Sequence, residues 1–216
     1  SRGVEGYIEK MRRLGIETER SDYLTSVDVT IAALQRERPE KKCYVFGTRS
    51  FYSQLRDAGI PVTARPDPDV DILLCGFDRE LTFQKLEDAC ILLNRGAEFW
   101  ATNPDWVCPT WYGSVPDCGS VCRMLTTATG RTPRFLGKPQ PDMAVLAMTR
   151  TGFAPEQTVL LGDRLYTDIA CGAAAGIDTV FVLSGEGTEA DIEKFGVQPT
   201  WVRRDIAALL QELEDN

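Results

Sequence analysis

Two aspartates at the end of an apolar segment, Asp163 and Asp168, are the strongest candidates for chemistry in this sequence. They occur in Thr-Val-Leu-Leu-Gly-Asp-Arg-Leu-Tyr-Thr-Asp, which begins at Thr158. The apolar residues predict a buried strand ending at Gly162, and open α/β sheets bind ligands beyond the carboxyl ends of their strands. Two carboxylates at this place could hold a hard cation, one directly and one through water. Alternatively, Asp163 is a turn residue and Asp168 caps the following helix.

A lysine, Lys138, follows the short apolar segment Phe135-Leu-Gly and precedes Pro-Gln-Pro. If this segment is a strand at the same edge of the sheet, Lys138 and Asp163 lie at successive strand ends and point into one crevice. An ammonium group held there would neutralise a phosphoryl group and a nucleophilic carboxylate. The alternative for Lys138 is an ordinary solvated surface lysine.

Composition restricts the chemistry further. The sequence contains no histidine, which excludes Ser-His-Asp and Cys-His catalysis and most zinc and iron sites. Any metal would be a hard ion such as Mg²⁺, held by carboxylates, carbonyls and water. The net charge of -8 argues against a nucleic-acid partner, and no apolar run is long enough to predict a membrane span. Seven scattered cysteines without a CxxC motif predict reduced thiols in the cytoplasm.

The hydrophobic pattern predicts the elements that position these residues. From residue 133 onwards, short apolar strands alternate with helices over Asp142–Thr151, Thr167–Ala175 and Asp205–Leu213. This alternation predicts a parallel sheet covered by helices. The region 26–132 contains strands and helices of its own, including a helix over Phe83–Asn94, and is expected to form a separate inserted domain. An opening helix over Ser1–Leu14, Thr82 as an N-cap, and a loop or hairpin over Pro104–Asp117 complete the prediction.

The segments Gly-Lys138-Pro-Gln-Pro and Gly-Asp163-Arg-Leu-Tyr-Thr-Asp168-Ile resemble motifs III and IV of the haloacid dehalogenase phosphatases. The similarity is to the branch with p-nitrophenylphosphatases, phosphoglycolate and pyridoxal phosphate phosphatases, and NagD-like nucleotidases. It continues through CGFDRELTFQKL, ATNPD and DCGSVCRMLTTATGR, which resemble the cap domain of that branch. The resemblance implies an α/β fold: a Rossmannoid parallel-sheet core formed by residues 1–25 and 133–216, and an inserted α/β cap of the C2 type at 26–132.

The resemblance also implies a function, the Mg²⁺-dependent hydrolysis of small phosphate monoesters through an aspartyl-phosphate. Lys138 would stabilise this intermediate, Asp163 would bind Mg²⁺, and Asp168 would support the water shell of the metal. The cap would close over the crevice and exclude bulk water. The expected partner is a small phosphorylated metabolite, and homodimers formed through the cap occur in this branch.

By the same resemblance, two parts of the cap would face the leaving group of the substrate. The first is the loop formed by Phe77, Asp78 and Arg79, and the second is the region around Cys108. The nearby side chains of Asn103 and Asp105 could contact substrate or form an Asx-turn. These residue types do not identify one substrate.

The sequence departs from the family pattern in one respect, because it contains no DxDGT motif to supply the nucleophile. Motif II would fall at or before Ser1, so we expect a preceding segment to carry both motifs. The missing motif I strand is central in this fold, and its absence should leave two sheet fragments with unpaired edges and exposed apolar faces. The alternative is a non-catalytic binding or interaction protein. A phosphomutase or dehalogenase would have a related core, but the cap resemblance favours a phosphatase.

Two other segments have plainer interpretations. Asp67-Pro-Asp-Val-Asp71 superficially resembles a calcium loop, but Ile72 stands where an EF-hand requires glycine, so we expect a polar turn. Gly185-Glu-Gly-Thr188 is too short for a Walker-type phosphate loop. We expect a turn there, with a modest role near the active site as the alternative.

Overall fold

The computed structural model describes residues 3–215, and the chain forms two compact units, 1–137 and 138–216. The predicted opening helix is observed as α1 (Val4–Arg13). Two residues of that prediction, Ser1 and Arg2, lie outside the described part of the chain. Among residues 3–215, no helix is both long and apolar enough to cross a membrane.

The first unit is built on a parallel sheet whose strands are β1 (Cys43–Phe46), β2 (Val62–Thr63), β3 (Ile72–Cys75), β4 (Glu98–Ala101) and β7 (Arg134–Phe135). They pair in the order β2-β1-β3-β4-β7. The helices that follow α1 in this unit are α2 (Ser26–Glu37), α3 (Arg49–Asp57), α4 (Phe83–Asn94) and α5 (Cys118–Thr129). An antiparallel hairpin, β5 (Val107–Thr110) and β6 (Gly113–Pro116), lies between β4 and α5.

The central strand of this sheet, β3, and its neighbour β1 are buried along their whole length. Because side chains alternate across a strand, each strand supplies both faces of the sheet with apolar groups. Tyr44 and Phe46 belong to one apolar cluster and Cys43 and Val45 to another. Helices cover both clusters, so the first unit is a three-layer α/β structure.

Side-chain caps set where helices of the first unit begin. Thr25 and Asp28 form a capping box at the start of α2, which satisfies backbone N–H groups that the helix leaves free. The side chain of Thr82 accepts a hydrogen bond from the backbone N–H of Lys85, which confirms the predicted N-cap of α4. The predicted bounds of α4, Phe83–Asn94, are also those observed.

The second unit contains a three-stranded parallel sheet formed by β8 (Val159–Gly162), β9 (Asp178–Val182) and β10 (Trp201–Arg203), in the order β10-β9-β8. Its helices are α6 (Asp142–Thr151), α7 (Ala170–Ala175), α8 (Ala190–Phe195) and α9 (Ile206–Glu214). Two small apolar clusters pack in this unit, one around Cys171 and the other around Phe181. They pack α6, α7 and α8 against the sheet.

Strand β8 lies at the edge of the sheet, and among the described residues it pairs only with β9. Val159 and Leu161, on one face of the strand, are 48% and 39% exposed. The intervening Leu160 packs against the cluster around Cys171. The unpaired edge and the exposed apolar face that the sequence predicted are therefore observed at β8 in the described part of the chain, while the missing central strand and the two sheet fragments stay a prediction.

The structure confirms the predicted α/β class with parallel sheets. It corrects the placement of one strand. The strand before Lys138 was expected in the same sheet as the strand before Asp163, but the structure places it as β7, paired with β4 in the sheet of the first unit. Short strands pair according to tertiary context, which the local sequence does not specify. Strand β10 and helix α8 were not predicted. The division into a core of 1–25 and 133–216 with an inserted cap at 26–132 stays a prediction.

Candidate active site

The two candidate metal-binding aspartates lie beyond the carboxyl end of β8. Asp163 follows Gly162, the last residue of the strand, and Asp168 lies in a single π-helical turn, Leu165–Ile169, that leads into α7. Asp168 is buried, whereas Asp163 is partly exposed. The chain therefore places one carboxylate at the surface of the strand end and a second one beneath it.

Asp168 is fixed by hydrogen bonds to both of its carboxylate oxygens. The Nζ atom of Lys138 lies 2.5 Å from Oδ1, and the backbone N–H of Arg164 donates to Oδ2 over 3.2 Å. The side chain of Asp168 does not cap α7, whose first turn continues directly from the π-helical turn. Because a buried carboxylate requires compensation, the ion pair explains how Asp168 is tolerated. Lys138 itself keeps 37% of its side chain exposed.

Gly162 allows Asp168 to approach the end of β8. A Cβ atom at Gly162 would lie 2.1 Å from Cβ of Asp168 and 2.6 Å from its Cγ. These distances leave no space for a side chain. The glycine before Asp163 is therefore required by the position of Asp168.

Asp163 is contacted by the loop that follows β9, at the carboxyl end of the neighbouring strand. The backbone N–H of Glu186 donates to Oδ2 of Asp163 over 2.9 Å. This is the segment for which the sequence predicted a plain turn or a modest role near the site. Two features of the sequence could have indicated this contact. The segment follows the next strand along the chain, and it has two glycines in four residues, which allow its backbone to approach Asp163 closely.

The two aspartates fit a magnesium ion that keeps most of its water. Mg²⁺ is commonly bound through one or two carboxylates, the other ligands being water and substrate phosphate oxygens. Residues 3–215 contain no cluster of three or more Cys, Asp or Glu side chains that could hold a metal, so a cage formed by the described residues alone is not present. Oδ1 of Asp163 has no hydrogen-bond partner among these residues. Asp163 could thus bind a metal directly, while Asp168 is engaged by Lys138.

In the first unit, the loop after β3 contains three residues predicted to bind substrate. The side chain of Asp78 is fully buried and forms an ion pair with Lys85 at 2.7 Å. Phe77 is half-buried and Arg79 is exposed. Lys85 also donates to the backbone carbonyl of Gly47 over 3.0 Å. It therefore joins the loops that follow β1 and β3, a role that sequence analysis missed because Lys85 lies inside a helix.

The remaining predicted substrate contacts lie in and after the loop that follows β4. Nδ2 of Asn103 donates to Oδ2 of Asp105 over 3.4 Å, a contact between the two side chains. Oδ1 of Asn103 is buried and has no partner among the described residues. Cys108 lies in β5 and is partly exposed. The structure thus groups Asn103 with Asp105 and leaves one buried acceptor unused.

Two family models match this chain. Residues 1–61 match the haloacid dehalogenase-like hydrolase family, and residues 135–209 match the HAD-hydrolase-like family. An acid sugar phosphatase of Staphylococcus epidermidis is 31% identical over 206 residues, which are 95% of this chain and 79% of that protein.

Solved structures of phosphatases match the whole fold. A 4-nitrophenylphosphatase from Thermotoga maritima is 32% identical, with a TM-score of 0.88 over 97% of this chain and 79% of the other. A glycerol phosphate phosphatase from Mycobacterium tuberculosis, solved in complex with calcium, is 28% identical with a TM-score of 0.90, over 97% of this chain and 62% of the other.

The chain therefore belongs to the haloacid dehalogenase-like hydrolases, in the branch of the p-nitrophenylphosphatases and NagD-like proteins. The members matched are phosphoric monoester hydrolases, which is the enzyme class that the fold and the sequence define.

Proposed function

We propose that this protein is a Mg²⁺-dependent phosphatase that hydrolyses small phosphate monoesters through an aspartyl-phosphate. The substrate class is that of p-nitrophenyl phosphate, sugar phosphates, phosphoglycolate or nucleotides. The observation that carries the proposal is the grouping of Lys138, Asp168 and Asp163 at the end of β8. Phosphoryl transfer depends mainly on positioning and on stabilising negative charge, and this group supplies a fixed cation and two carboxylates.

Each of these side chains has a distinct role in the proposal. Lys138 carries the positive charge that stabilises the phosphoryl oxygens and the attacking carboxylate. Asp168 holds the ammonium group of Lys138 in place through the ion pair, and Asp163 offers Oδ1 to the metal. When bound, Mg²⁺ would neutralise charge on the phosphate and orient it.

The 216 residues contain no DxDGT sequence, so the proposal assigns the attacking carboxylate to no residue of this sequence. The relatives that support the activity extend beyond the matched region, since the chain covers 79% of the Staphylococcus protein. A related candidate function is therefore a binding protein on the phosphatase scaffold. The absence of the nucleophile motif favours it, whereas the intact ion pair of Lys138 and Asp168 favours the enzyme.

Loops of the first unit would select the leaving group. Phe77 and Arg79 follow β3, and Asn103 precedes the hairpin that contains Cys108. The unused buried acceptor of Asn103 supports a role for this residue, because a donor from substrate or water would satisfy it. Asp78, fully buried against Lys85, would shape the loop from within.

Two further expectations remain part of the proposal. Seven free thiols are typical of a reducing compartment, which supports a cytoplasmic location. We also propose that the protein acts on small molecules as a homodimer, without a membrane or nucleic-acid partner. Sedimentation velocity over a range of concentrations would test the dimer.

The test of the proposed activity is hydrolysis of p-nitrophenyl phosphate by the 216-residue chain, with and without Mg²⁺. Asp163→Asn serves as the control for the metal site, because it removes a carboxylate while keeping the side-chain shape. Turnover that requires Mg²⁺ and is abolished in Asp163→Asn supports the phosphatase. A folded chain that binds Mg²⁺ and phosphate but shows no turnover leaves two candidates, a phosphatase assayed without its nucleophile segment and a binding protein. Repeating the assay with an N-terminal segment that carries DxDGT separates them, because only the phosphatase then gains turnover.

A further inference from the structure

The loop after β9 holds Asp163 at both its side chain and its main chain. The N–H of Glu186 donates to Oδ2 of Asp163 over 2.9 Å. One residue later, the N–H of Gly187 donates to the backbone carbonyl of Asp163, also over 2.9 Å. Two consecutive peptide groups therefore bind a single aspartate, which fixes both its backbone and one carboxylate oxygen.

The preceding residue, Gly185, packs directly against this carboxylate. A Cβ atom at Gly185 would lie 2.0 Å from Oδ2 of Asp163, 2.3 Å from its Cβ and 2.4 Å from its Cγ. The backbone of Gly185 does not adopt a positive φ, so the requirement for glycine here is one of space. Any side chain at this position must displace either the loop or Asp163.

An ion pair also connects the loop to the residue after Asp163. Nη2 of Arg164 lies 2.5 Å from Oε1 of Glu186. The Glu186 side chain is about half exposed and that of Arg164 one-fifth exposed, so solvent screens this pair in part. The loop is therefore held against Asp163 mainly by its two peptide N–H groups and by the close approach of Gly185.

The loop contacts only one of the two carboxylate oxygens of Asp163. Oδ2 accepts the Glu186 N–H and is covered by Gly185. Among the described residues, Oδ1 has no partner. A cation approaching Asp163 would therefore meet one available oxygen, in a direction set by the loop.

We propose that Gly185 and the peptide N–H of Glu186 are positioning groups that orient Asp163 to bind a hard divalent cation through Oδ1 alone. This inference rests on the proposed function, since it requires Asp163 to be the metal ligand. Groups that orient a metal ligand commonly change metal affinity 10- to 100-fold when they are altered. We therefore expect the loop to control affinity for Mg²⁺ without contacting the ion.

The test is isothermal titration of the 216-residue chain with Mg²⁺, in the absence of substrate. In Gly185→Ala, the new methyl group must displace either the Asp163 carboxylate or the loop that orients it, and in both cases we expect Mg²⁺ to bind at least about tenfold more weakly. Gly176→Ala is the matched control, because Gly176 has φ +70 and no atoms within 4 Å of an added Cβ. It strains the backbone in the same unit without touching Asp163, so its Mg²⁺ affinity should equal that of the wild type.

Glu186→Ala separates the peptide group from the side chain. It removes the ion pair with Arg164 but keeps the backbone N–H that binds Asp163, so we expect Mg²⁺ affinity within about twofold of the wild type, since a partly solvent-screened pair contributes little. A measurement on the wild type covers the case in which Gly185→Ala does not fold. The NMR amide resonance of Glu186 should shift as Mg²⁺ is added, and the dissociation constant from this shift should equal that found by calorimetry. The amide resonance of Glu193 should not shift.

The outcomes distinguish this inference from the proposed function. If Asp163→Asn binds Mg²⁺ as tightly as the wild type, Asp163 is not the ligand and the proposed metal site is wrong. If Asp163→Asn loses binding but Gly185→Ala keeps it, the metal site stands and the positioning role is overturned. Equal weakening in Gly185→Ala and Gly176→Ala also overturns it, because the effect is then general destabilisation. If the amide resonance of Glu186 does not shift when Mg²⁺ is added, the positioning role is also overturned.

Discussion

Lys138 and Asp168 form an ion pair between residues thirty positions apart, with Nζ of the lysine 2.5 Å from Oδ1 of the aspartate. The aspartate is buried and the lysine is about one-third exposed. The pair therefore places the ammonium group of Lys138 at the surface of the site, while Asp168 is buried beneath the end of β8. This arrangement makes the position of the lysine depend on that of the aspartate.

Replacing Lys138 by alanine should lower kcat strongly and stability moderately. Loss of a charge that stabilises the transition state commonly costs about 10²- to 10³-fold in kcat. The buried Asp168 would also lose a partner, which costs about 1–3 kcal/mol in the free energy of unfolding. Steady-state kinetics and urea unfolding measure the two effects. Lys194→Ala, at an exposed lysine of the same unit, is the control, and equal Mg²⁺-dependent turnover in both variants would refute the role of Lys138.

The close approach of Gly162 and Asp168 predicts a steric conflict that can be relieved. Gly162→Ala should destabilise the second unit by about 1–3 kcal/mol, since the added Cβ has no space. The nearest atom is Cβ of Asp168, so the destabilisation should be smaller when Gly162→Ala is made in an Asp168→Gly background. Urea unfolding of the four proteins measures the coupling. Equal effects in the two backgrounds would place the conflict elsewhere.

The sequence alone predicted local features of this molecule better than contacts between distant residues. The helix over Phe83–Asn94 was predicted to the residue because Thr82 gives a local capping signal. The pairing of β7 with β4 was not predicted, since a two-residue strand has no pattern of its own. Asp163 was identified from its position after an apolar strand. The contacts of Asp163 with the loop at Glu186 were not predicted. They join residues that are distant in sequence, and their donors are backbone N–H groups, which nearly every residue carries.

The ion pair between Glu37 and Arg134 predicts a dependence of stability on pH. The Arg134 guanidinium, and secondarily that of Arg36, lowers the pKa of Glu37 from 4.5 to about 2. Because the folded-state pKa is below the unfolded value, the stabilisation is present above pH 4.5 and is lost as the pH falls towards 2. Glu37→Gln should therefore lose less stability than the wild type between pH 5 and pH 3, as measured by urea unfolding. Parallel losses would show that the pair contributes nothing.

Burial divides the seven cysteines into two groups of different reactivity. Burial raises the pKa of the Cys43 thiol to about 12 and also raises the pKa of Cys75 and Cys171. Since the thiolate is the reactive form, these thiols should react slowly with a disulfide reagent at pH 8. Cys90 and Cys108 are partly exposed and should react first. Cys90→Ser and Cys108→Ser should each remove one fast equivalent, and protection of Cys108 by substrate would support its assignment to the substrate face.

The unused acceptor of Asn103 separates a binding role from a structural one. Asn103→Ala removes a buried oxygen that has no partner in the described part of the chain, so the free energy of unfolding should change by less than about 1 kcal/mol. If substrate donates to this oxygen, KM should rise while kcat changes little. Kinetics with two esters that differ in leaving group would measure this. Loss of stability with an unchanged KM would assign Asn103 to the fold.

Among residues 3–215, one edge of β8 has no partner strand, and this has a consequence for the behaviour of the 216-residue chain in concentrated solution. A row of open peptide groups next to exposed Val159 and Leu161 is a template for any complementary strand. The net charge of -8 opposes contact between copies by mutual repulsion, and added salt screens that repulsion. Colloidal stability should therefore decrease as ionic strength rises, which light scattering over a range of salt concentrations would measure.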